Sequence, residues 1–133
     1  MKRILLSICL MAVFTTASTA QKINSYPVVV SFLSMCCGVP DSKPVMELIK
    51  SFKKQNRIKR IAVDSIGPMG KEGEYYLAFR LKEMSKSQKI KFIQQLKKIA
   101  PTMKDRGTAS IIENMLVDKS TLYSRASITT KIL

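Results

Sequence analysis

The sequence predicts an α+β fold in which an antiparallel sheet carries two helices on one face. Apolar residues recur with a period of two in several short stretches, and every three to four residues in two longer ones. A pair of strand-like stretches joined by a glycine-rich loop lies between the two helical stretches. The 133 residues suffice for one domain, and 46% hydrophobic with 24% charged residues is a globular composition.

The first half of the chain is predicted to contain one strand and one helix. Residues 21–26 are expected to form an irregular leader, and residues 28–34, which are β-branched and apolar on both faces, a central strand. A loop with one glycine and two prolines follows over residues 35–44. A helix is expected over residues 44–55. Its apolar stripe consists of Val45, Leu48, Ile49 and Phe52.

The middle of the chain is predicted to form a hairpin and the second helix. Strands are expected over residues 58–66 and 75–82, joined by a loop over residues 67–74 that holds three of the five glycines. A helix is expected over residues 86–99, because a Ser-x-x-Gln capping box begins at Ser85. Its buried stripe consists of Phe92, Ile93, Leu96 and Ile99.

Two more strands are expected near the C-terminus, over residues 107–113 and 125–133, and residues 114–123 are compatible with either a loop or a short turn. The element order is then β-α-β-β-α-β followed by one extra strand. This is the order of the ferredoxin-like motif, for which the strand order 4-1-3-2 is expected. The fold carries many unrelated functions, so the function has to be sought in particular residues.

Residues 1–20 have the organisation of a secretory signal peptide. Two basic residues precede an apolar run over residues 4–14, and a small-x-small pattern predicts cleavage after Ala20. A lipoprotein signal at Cys9 is the weaker interpretation, because an isoleucine precedes that cysteine. The run is shorter than a membrane span requires. We therefore expect an exported protein, periplasmic or secreted, with one mature domain over residues 21–133 and no transmembrane span.

The composition argues against several kinds of catalytic site. The chain has no histidine, which excludes Ser-His and Cys-His catalytic arrangements and histidine-containing metal sites. After removal of the signal only Cys36 and Cys37 remain, and one vicinal pair cannot cross-link distant segments. Glu72 and Glu74 are expected to be solvated and have no third partner in the sequence. An enzyme is therefore the less favoured interpretation.

Soft side chains are predicted to meet at one end of the sheet. In this topology the loops over residues 35–44, 67–74 and 101–107 share that end. Thiolate and thioether ligands favour Cu(I), and a nearby lysine or helix N-terminus lowers the pKa of a cysteine. The candidate metal ligands are Met35, Cys36, Cys37 and Met69, with Met103 close by.

The chain resembles the small heavy-metal-associated domains of the copper-chaperone type in this loop. That family has a Met-x-Cys-x-x-Cys motif between the first strand and the first helix of a ferredoxin-like unit, and Met35, Cys36 and Cys37 occupy the same position here. The two cysteines are adjacent, whereas the family spaces them two residues apart. The resemblance implies Cu(I) or another soft metal as the cofactor, and Lys104 as the counterpart of the family's lysine near the metal.

The adjacent cysteines have other interpretations as well. Free cysteine is a common small buried residue, so Cys36 and Cys37 at the end of an apolar strand are compatible with a purely structural role. A vicinal disulfide would be strained, because consecutive Cα atoms lie about 3.8 Å apart. An exposed and reactive thiol would instead indicate a redox protein.

The net charge of +14 predicts an anionic partner. Basic residues cluster over residues 50–60 and 86–98, so the outward faces of the two helices would form one basic surface for an anionic surface or an acidic protein. Nucleic acid is not expected for an exported protein, and only Tyr76 offers a sheet aromatic for stacking. That sheet face, with Val28 or Val29, would be apolar if left bare, which would indicate a homodimer.

The function expected from the sequence is that of a small exported, non-catalytic binding module that binds a soft metal ion through the loop of Cys36 and Cys37. The first alternative is an interaction protein that uses the basic helical face or the open sheet face. The second alternative is a thiol redox protein.

Overall fold

The computed structural model describes residues 23–122 and 126–133, so the predicted cleavage site after Ala20 lies outside the described residues. Five strands and two α-helices make up most of this part of the chain. In chain order they are β1 (Ile23–Ser34), α1 (Lys43–Asn56), β2 (Ala62–Met69), β3 (Glu74–Phe79), α2 (Lys86–Ile99), β4 (Gly107–Asp118) and β5 (Ser127–Ile132). Short 3-10 helices follow α2 and β4.

The five strands form one sheet in the order β4-β1-β3-β2-β5, and all neighbouring strands are antiparallel. The predicted α+β class, with an antiparallel sheet and two helices, is confirmed. The C-terminal strand β5 pairs with β2, so that β5 and β4 are the two edges of the sheet.

The two helices lie where their apolar periodicity predicts them. Helix α2 has the predicted bounds, and α1 is one residue longer at each end. The capping box of α2 is formed: Ser85 Oγ accepts the Gln88 N–H at 3.3 Å, and Gln88 Oε1 accepts the Ser85 N–H at 2.9 Å. Helix α1 ends at Asn56, and Arg57 caps it in a left-handed conformation with φ of 52°.

The strand bounds differ more from the predictions, because partner strands decide them. The expected irregular leader is wrong from residue 23 onwards: β1 begins at Ile23, which pairs with Asp118 of a β4 that is five residues longer than predicted. Strand β2 begins four residues later than expected and ends three residues later. Strand β3 ends at Phe79 rather than at residue 82, and Leu81 just beyond it has a φ of 48°.

The sheet has a buried cluster on each face. Both helices pack on the face that carries Val30, Phe32 and Phe79. The opposite face has a smaller cluster: Tyr26, Val29, Ile66, Ala78 and Val117. Val29 is 0% exposed, because other parts of this same chain cover it, so the expectation of a bare apolar patch around Val29 is wrong. Val28 lies on the other face, towards the helices. The expectation of a homodimer loses that support.

Candidate functional site

Three segments meet at the end of the sheet where β1 leads into α1. The N–H of Ser34, at the end of β1, donates to Glu74 Oε1 at 3.3 Å across the β2–β3 turn. The N–H of Met35 donates to the Arg106 carbonyl oxygen, just before β4, at 3.4 Å. A Cβ on Gly38 would lie 3.9 Å from Arg106 Cδ. The contacts therefore bring the three predicted loop segments together at one end of the sheet.

Two glycines allow this close approach. A Cβ on Gly107, the first residue of β4, would lie 2.0 Å from the Leu33 carbonyl oxygen, so only glycine lets β4 start this close to β1. Gly70 has a φ of 75° in the β2–β3 turn, and a Cβ there would lie 2.6 Å from Glu74 Oε2. Gly107 thus lets β4 start beside the end of β1, and Gly70 lets the β2–β3 turn fold back on Glu74, which accepts the Ser34 N–H.

Cys36 and Cys37 are both exposed and both free. A hydrogen bond with the Cys36 thiol raises the pKa of the Cys37 thiol, with further contributions from burial and from the negative charge of Glu72. The lowered pKa expected from a lysine and a helix N-terminus is therefore wrong for Cys37. The neighbouring thiol and the carboxylate of the β2–β3 turn decide its environment, and both favour the protonated form.

The methionines predicted beside the cysteines differ in their exposure to solvent. Met35 is 73% exposed and directly precedes Cys36, whereas Met69 and Met103 are buried, and Met103 packs into the helix-side core. Residues 23–122 and 126–133 contain no group of three or more histidine, cysteine, aspartate or glutamate side chains that could hold a metal ion. Of the soft side chains predicted at this end of the sheet, Cys36, Cys37 and Met35 are exposed.

The two other predicted site residues lie in different surroundings. Lys104 is exposed between the 3-10 helix and β4, and it lines a surface groove together with Asp41 and Glu47. Tyr76 is half-buried and packs against the cluster on the sheet face opposite the helices. It is therefore part of that packing, rather than a fully exposed platform for stacking.

A buried carboxylate that the sequence analysis did not single out lies on that same face. Asp64 of β2 is 0% exposed. Its Oδ2 accepts hydrogen bonds from the Tyr26 hydroxyl of β1 at 2.6 Å and from Arg80 Nε and Nη2 at 3.0 Å and 2.7 Å. Its Oδ1 accepts one from Thr130 Oγ1 of β5 at 2.6 Å. The cluster thus joins β1, β2, β5 and the residue after β3.

The electrostatics of this cluster follow from its hydrogen bonds. Burial by itself would raise the pKa of Asp64, but hydrogen bonds from Thr130, Tyr26 and Arg80 and the positive charge of Arg80 together lower it. Burial, followed by the hydrogen bond to Asp64, raises the pKa of Tyr26 to about 12. The carboxylate, the phenol and the guanidinium therefore keep fixed protonation states around neutral pH.

The sequence contained one signal of this cluster: an aspartate in the middle of a β-branched strand, where a charge is costly unless it is paired. Its partners come from positions 16, 38 and 66 residues away along the chain, so no local pattern identifies them. Both carboxylate oxygens of Asp64 are hydrogen-bonded inside the fold, whereas Arg80 and Thr130 reach the surface, so the cluster connects the strands of the sheet.

The two helices carry most of the basic surface. Helix α1 contains four lysines and one acid, Glu47, and α2 contains five lysines and no acid. Of these, Lys97 pairs with Glu113 of β4. Lys50, Lys54 and Lys91 are exposed on the outward side of the helical layer.

No family model, no curated protein and no solved structure matches this chain. Within the described residues, neither helix has the length and apolar character needed to cross a membrane.

Proposed function

We propose that this chain is an exported, ferredoxin-like, non-catalytic binding module that binds a soft metal ion, Cu(I), through Cys36 and Cys37. The observation that carries the proposal is the contact between two free, exposed thiols at the point where three segments of the chain meet. Thiolate sulfur is the ligand type that Cu(I) prefers.

The ferredoxin-like assignment is supported by the order of the elements. Strands β4, β1, β3 and β2 are adjacent in that order, and one helix connects β1 to β2 while the other connects β3 to β4. Export is supported by the basic, apolar and small-residue regions of residues 1–20.

The exposure of each sulfur-containing side chain indicates which of them can bind the metal ion. Cys36 and Cys37 supply two thiolates, and the exposed thioether of Met35 is the natural third ligand. Met69 is only 8% exposed, so its thioether would need to leave its packing to reach a metal at the surface. Lys104 contributes positive charge at the same end of the molecule.

Binding has to displace protons, because the thiolate is the ligand form of cysteine. The raised pKa of Cys37 means that this thiol is largely protonated at neutral pH, so Cu(I) affinity should increase as the pH rises towards the thiol pKa. The same raised pKa disfavours the thiol redox alternative, which requires a nucleophilic thiolate near neutral pH.

A competitive Cu(I) titration against a chromophoric chelator tests this proposal. In a reduced Cys9→Ser background, we expect one Cu(I) per chain, loss of binding in a Cys36→Ser, Cys37→Ser variant, and weaker binding in Met35→Leu. Met46→Leu, on α1, is the matched control and should bind as the parent does. Equal, weak binding by the parent and the double cysteine variant would refute the metal site.

A second function is favoured by the lysines of the helical layer. We propose that its outward face binds an anionic phospholipid surface: Lys50, Lys54 and Lys91 are exposed there, and the apolar side chain of Ile90 is 49% exposed on the same helix as Lys91. A lysine close to such a surface contributes about 1 kcal/mol, and an apolar side chain among lysines adds contact with the lipid.

Vesicle sedimentation tests this second function. Vesicles with anionic lipid should bind the protein and release it at high salt, and purely zwitterionic vesicles should not bind it. Lys50→Glu combined with Lys54→Glu should abolish sedimentation. The same charge reversal at Lys71 and Lys119, outside α1 and α2, should reduce sedimentation much less. Equal losses in the two double variants would show that only net charge matters, and would refute a specific helical face.

A further inference from the structure

The fifth strand of the sheet borders an open cavity on the helix side. Helix α1 packs over β1, β3 and β2, and β5 lies beyond β2 at the edge of the sheet. A cavity of about 370 Å³ lies between the first turn of α1 and the surface of β2, β3 and β5. This volume is in the range of small-molecule sites, which extends from about 300 Å³ upwards.

The lining of this cavity combines an apolar floor with a few polar groups. Val63, Leu77 and Leu133 supply the floor. Hydroxyl groups come from Ser65 of β2 and Tyr75 of β3. Tyr75 is held in place by its ring, which stacks on Phe32 with centroids 4.6 Å apart and the planes at 9°. An apolar surface with a small number of converging polar groups is the usual character of a ligand site.

Lys131 is the one charged side chain among the described residues that line the cavity, and the N-terminus of α1 beside the cavity already has a partner. Lys131 of β5 is exposed at the cavity and makes no ion pair with any described residue. At the α1 side, the Lys43 N–H already donates to Asp41 Oδ1 at 2.9 Å, and Pro44 has no N–H. The helix end is therefore occupied by a carboxylate, and the free positive charge is on β5.

We propose that this cavity binds a small carboxylate with an apolar body. The carboxylate pairs with the Lys131 ammonium, the apolar body covers the floor formed by Val63 and Leu77, and the polar groups at the Ser42 and Tyr75 end accept or donate hydrogen bonds. Asp41 repels a second anion from that end, so the site fixes the orientation of the ligand. This cavity is separate from the proposed metal site, because neither Cys36 nor Cys37 lines it.

The probe pair phenylbutyrate and phenylbutyramide separates the charge requirement from apolar contact. We would titrate each into the ¹⁵N-labelled protein and follow the backbone amides up to about 10 mM ligand, which detects millimolar affinity. Phenylbutyrate should shift the amides of Ser65, Tyr75 and Lys131 together. Phenylbutyramide should bind at least about tenfold more weakly, because it lacks the charge-assisted contact.

Variants then assign the contact to Lys131. Lys131→Gln should weaken phenylbutyrate binding about tenfold and leave phenylbutyramide binding unchanged, and Lys119→Gln is the matched control with no expected effect. Ser65→Leu should fill the cavity and abolish binding of both probes, with circular dichroism confirming that the variant folds. The proposal is overturned if phenylbutyrate shifts no cavity amide, if acid and amide bind equally, or if Lys131→Gln binds as the parent does.

Discussion

The two faces of the sheet are stabilised by different kinds of interaction. On the helix-covered face, Phe92 of α2 packs edge-to-face against Phe52 and Phe79, with ring centroids 5.0 Å and 5.4 Å apart. On the opposite face, the buried Asp64 carboxylate is surrounded by donors from Tyr26, Arg80 and Thr130. The first face depends on non-directional apolar burial, and the second combines apolar burial with directional hydrogen bonds.

This difference shows what each face contributes to the fold. Apolar packing is non-directional, and it tolerates substitutions that keep the volume and the hydrophobic pattern. A buried carboxylate requires each of its donors in place, since an unsatisfied buried charge is costly. Thr130 reaches Asp64 only when β5 pairs with β2 in the observed register, with Thr130 opposite Asp64. The polar cluster therefore specifies where the C-terminal strand attaches.

The largest change in the free energy of unfolding is expected for a substitution on the apolar face. Phe92→Ala should lower the free energy of unfolding by about 4 kcal/mol, because it leaves a cavity between two fixed aromatic rings at a 0% exposed position. Urea unfolding measures it. Ile90→Ala on the same helix, where the side chain is 49% exposed, is the control and should change stability by less than about 0.5 kcal/mol. Equal effects at the two positions would contradict the assigned core.

Removal of the buried carboxylate should cause the next largest loss in the free energy of unfolding. Asp64→Ala should cost about 3 kcal/mol, because it leaves the Tyr26 hydroxyl without its partner inside the fold while Arg80 can still turn to water. The lowered pKa of Asp64 adds a pH signature: the parent should lose this contribution as the pH falls below about 4 towards the folded pKa, and the variant should lack that loss.

Asp105→Ala, at an exposed acid, is the control for this change and should alter stability by less than about 0.5 kcal/mol. A similar acid dependence in the parent and in Asp64→Ala would show that the carboxylate is not stabilised by its donors.

Stability at alkaline pH tests the same cluster through the ionisation of Tyr26. Its pKa is raised from 10.0 to about 12 in the folded chain, so folding favours the neutral phenol. The resulting stability is present below pH 10 and is lost as the pH rises from about 10 to about 12, by about 2 to 3 kcal/mol. Urea unfolding across this range, beside Tyr26→Phe, measures it. A parent and a Tyr26→Phe variant with the same alkaline slope would contradict the raised pKa.

The smallest loss of stability is expected for a substitution in β5 that removes a hydrogen bond to β2. Thr130→Val removes the hydrogen bond to Asp64 Oδ1 but keeps the shape and strand propensity of the side chain, so it should cost about 1 kcal/mol. Thr129→Val, one residue earlier on the other face of β5, is the matched control and should be close to neutral. Hydrogen exchange of the β5 amides would show whether the loss is local to that strand.

Local patterns in the sequence predicted the helices well. The periodicity of Val45, Ile49 and Phe52 places α1 within one residue at each end, and the capping box at Ser85 places the start of α2. These features act within one or two turns of the chain, so neighbouring residues suffice to determine them. The position of Cys36 and Cys37 in a loop followed equally from local composition, whereas their exposure was left open by the sequence and was decided by the structure.

The candidate metal site was predicted only in part. Placing Met35, Cys36 and Cys37 in one loop required only their adjacency in sequence, whereas the burial of Met69 and Met103 depends on packing against distant elements. The pKa of Cys37 also escaped prediction, because it responds to Glu72 on another loop and to the thiol of its neighbour. Side-chain environments of this kind are set by segments that meet only after folding.

The sequence by itself determined the α+β class, the two helices with their buried stripes, and the basic character of their outward faces, because each depends on residues a few positions apart. Only the tertiary structure decided that β1 begins at Ile23, that β5 attaches to β2, and that Asp64 becomes the centre of a buried cluster. Each of these depends on pairing between residues that are 16 to 95 positions apart, and the energy of such pairs exists only once the chain has closed the loops between them.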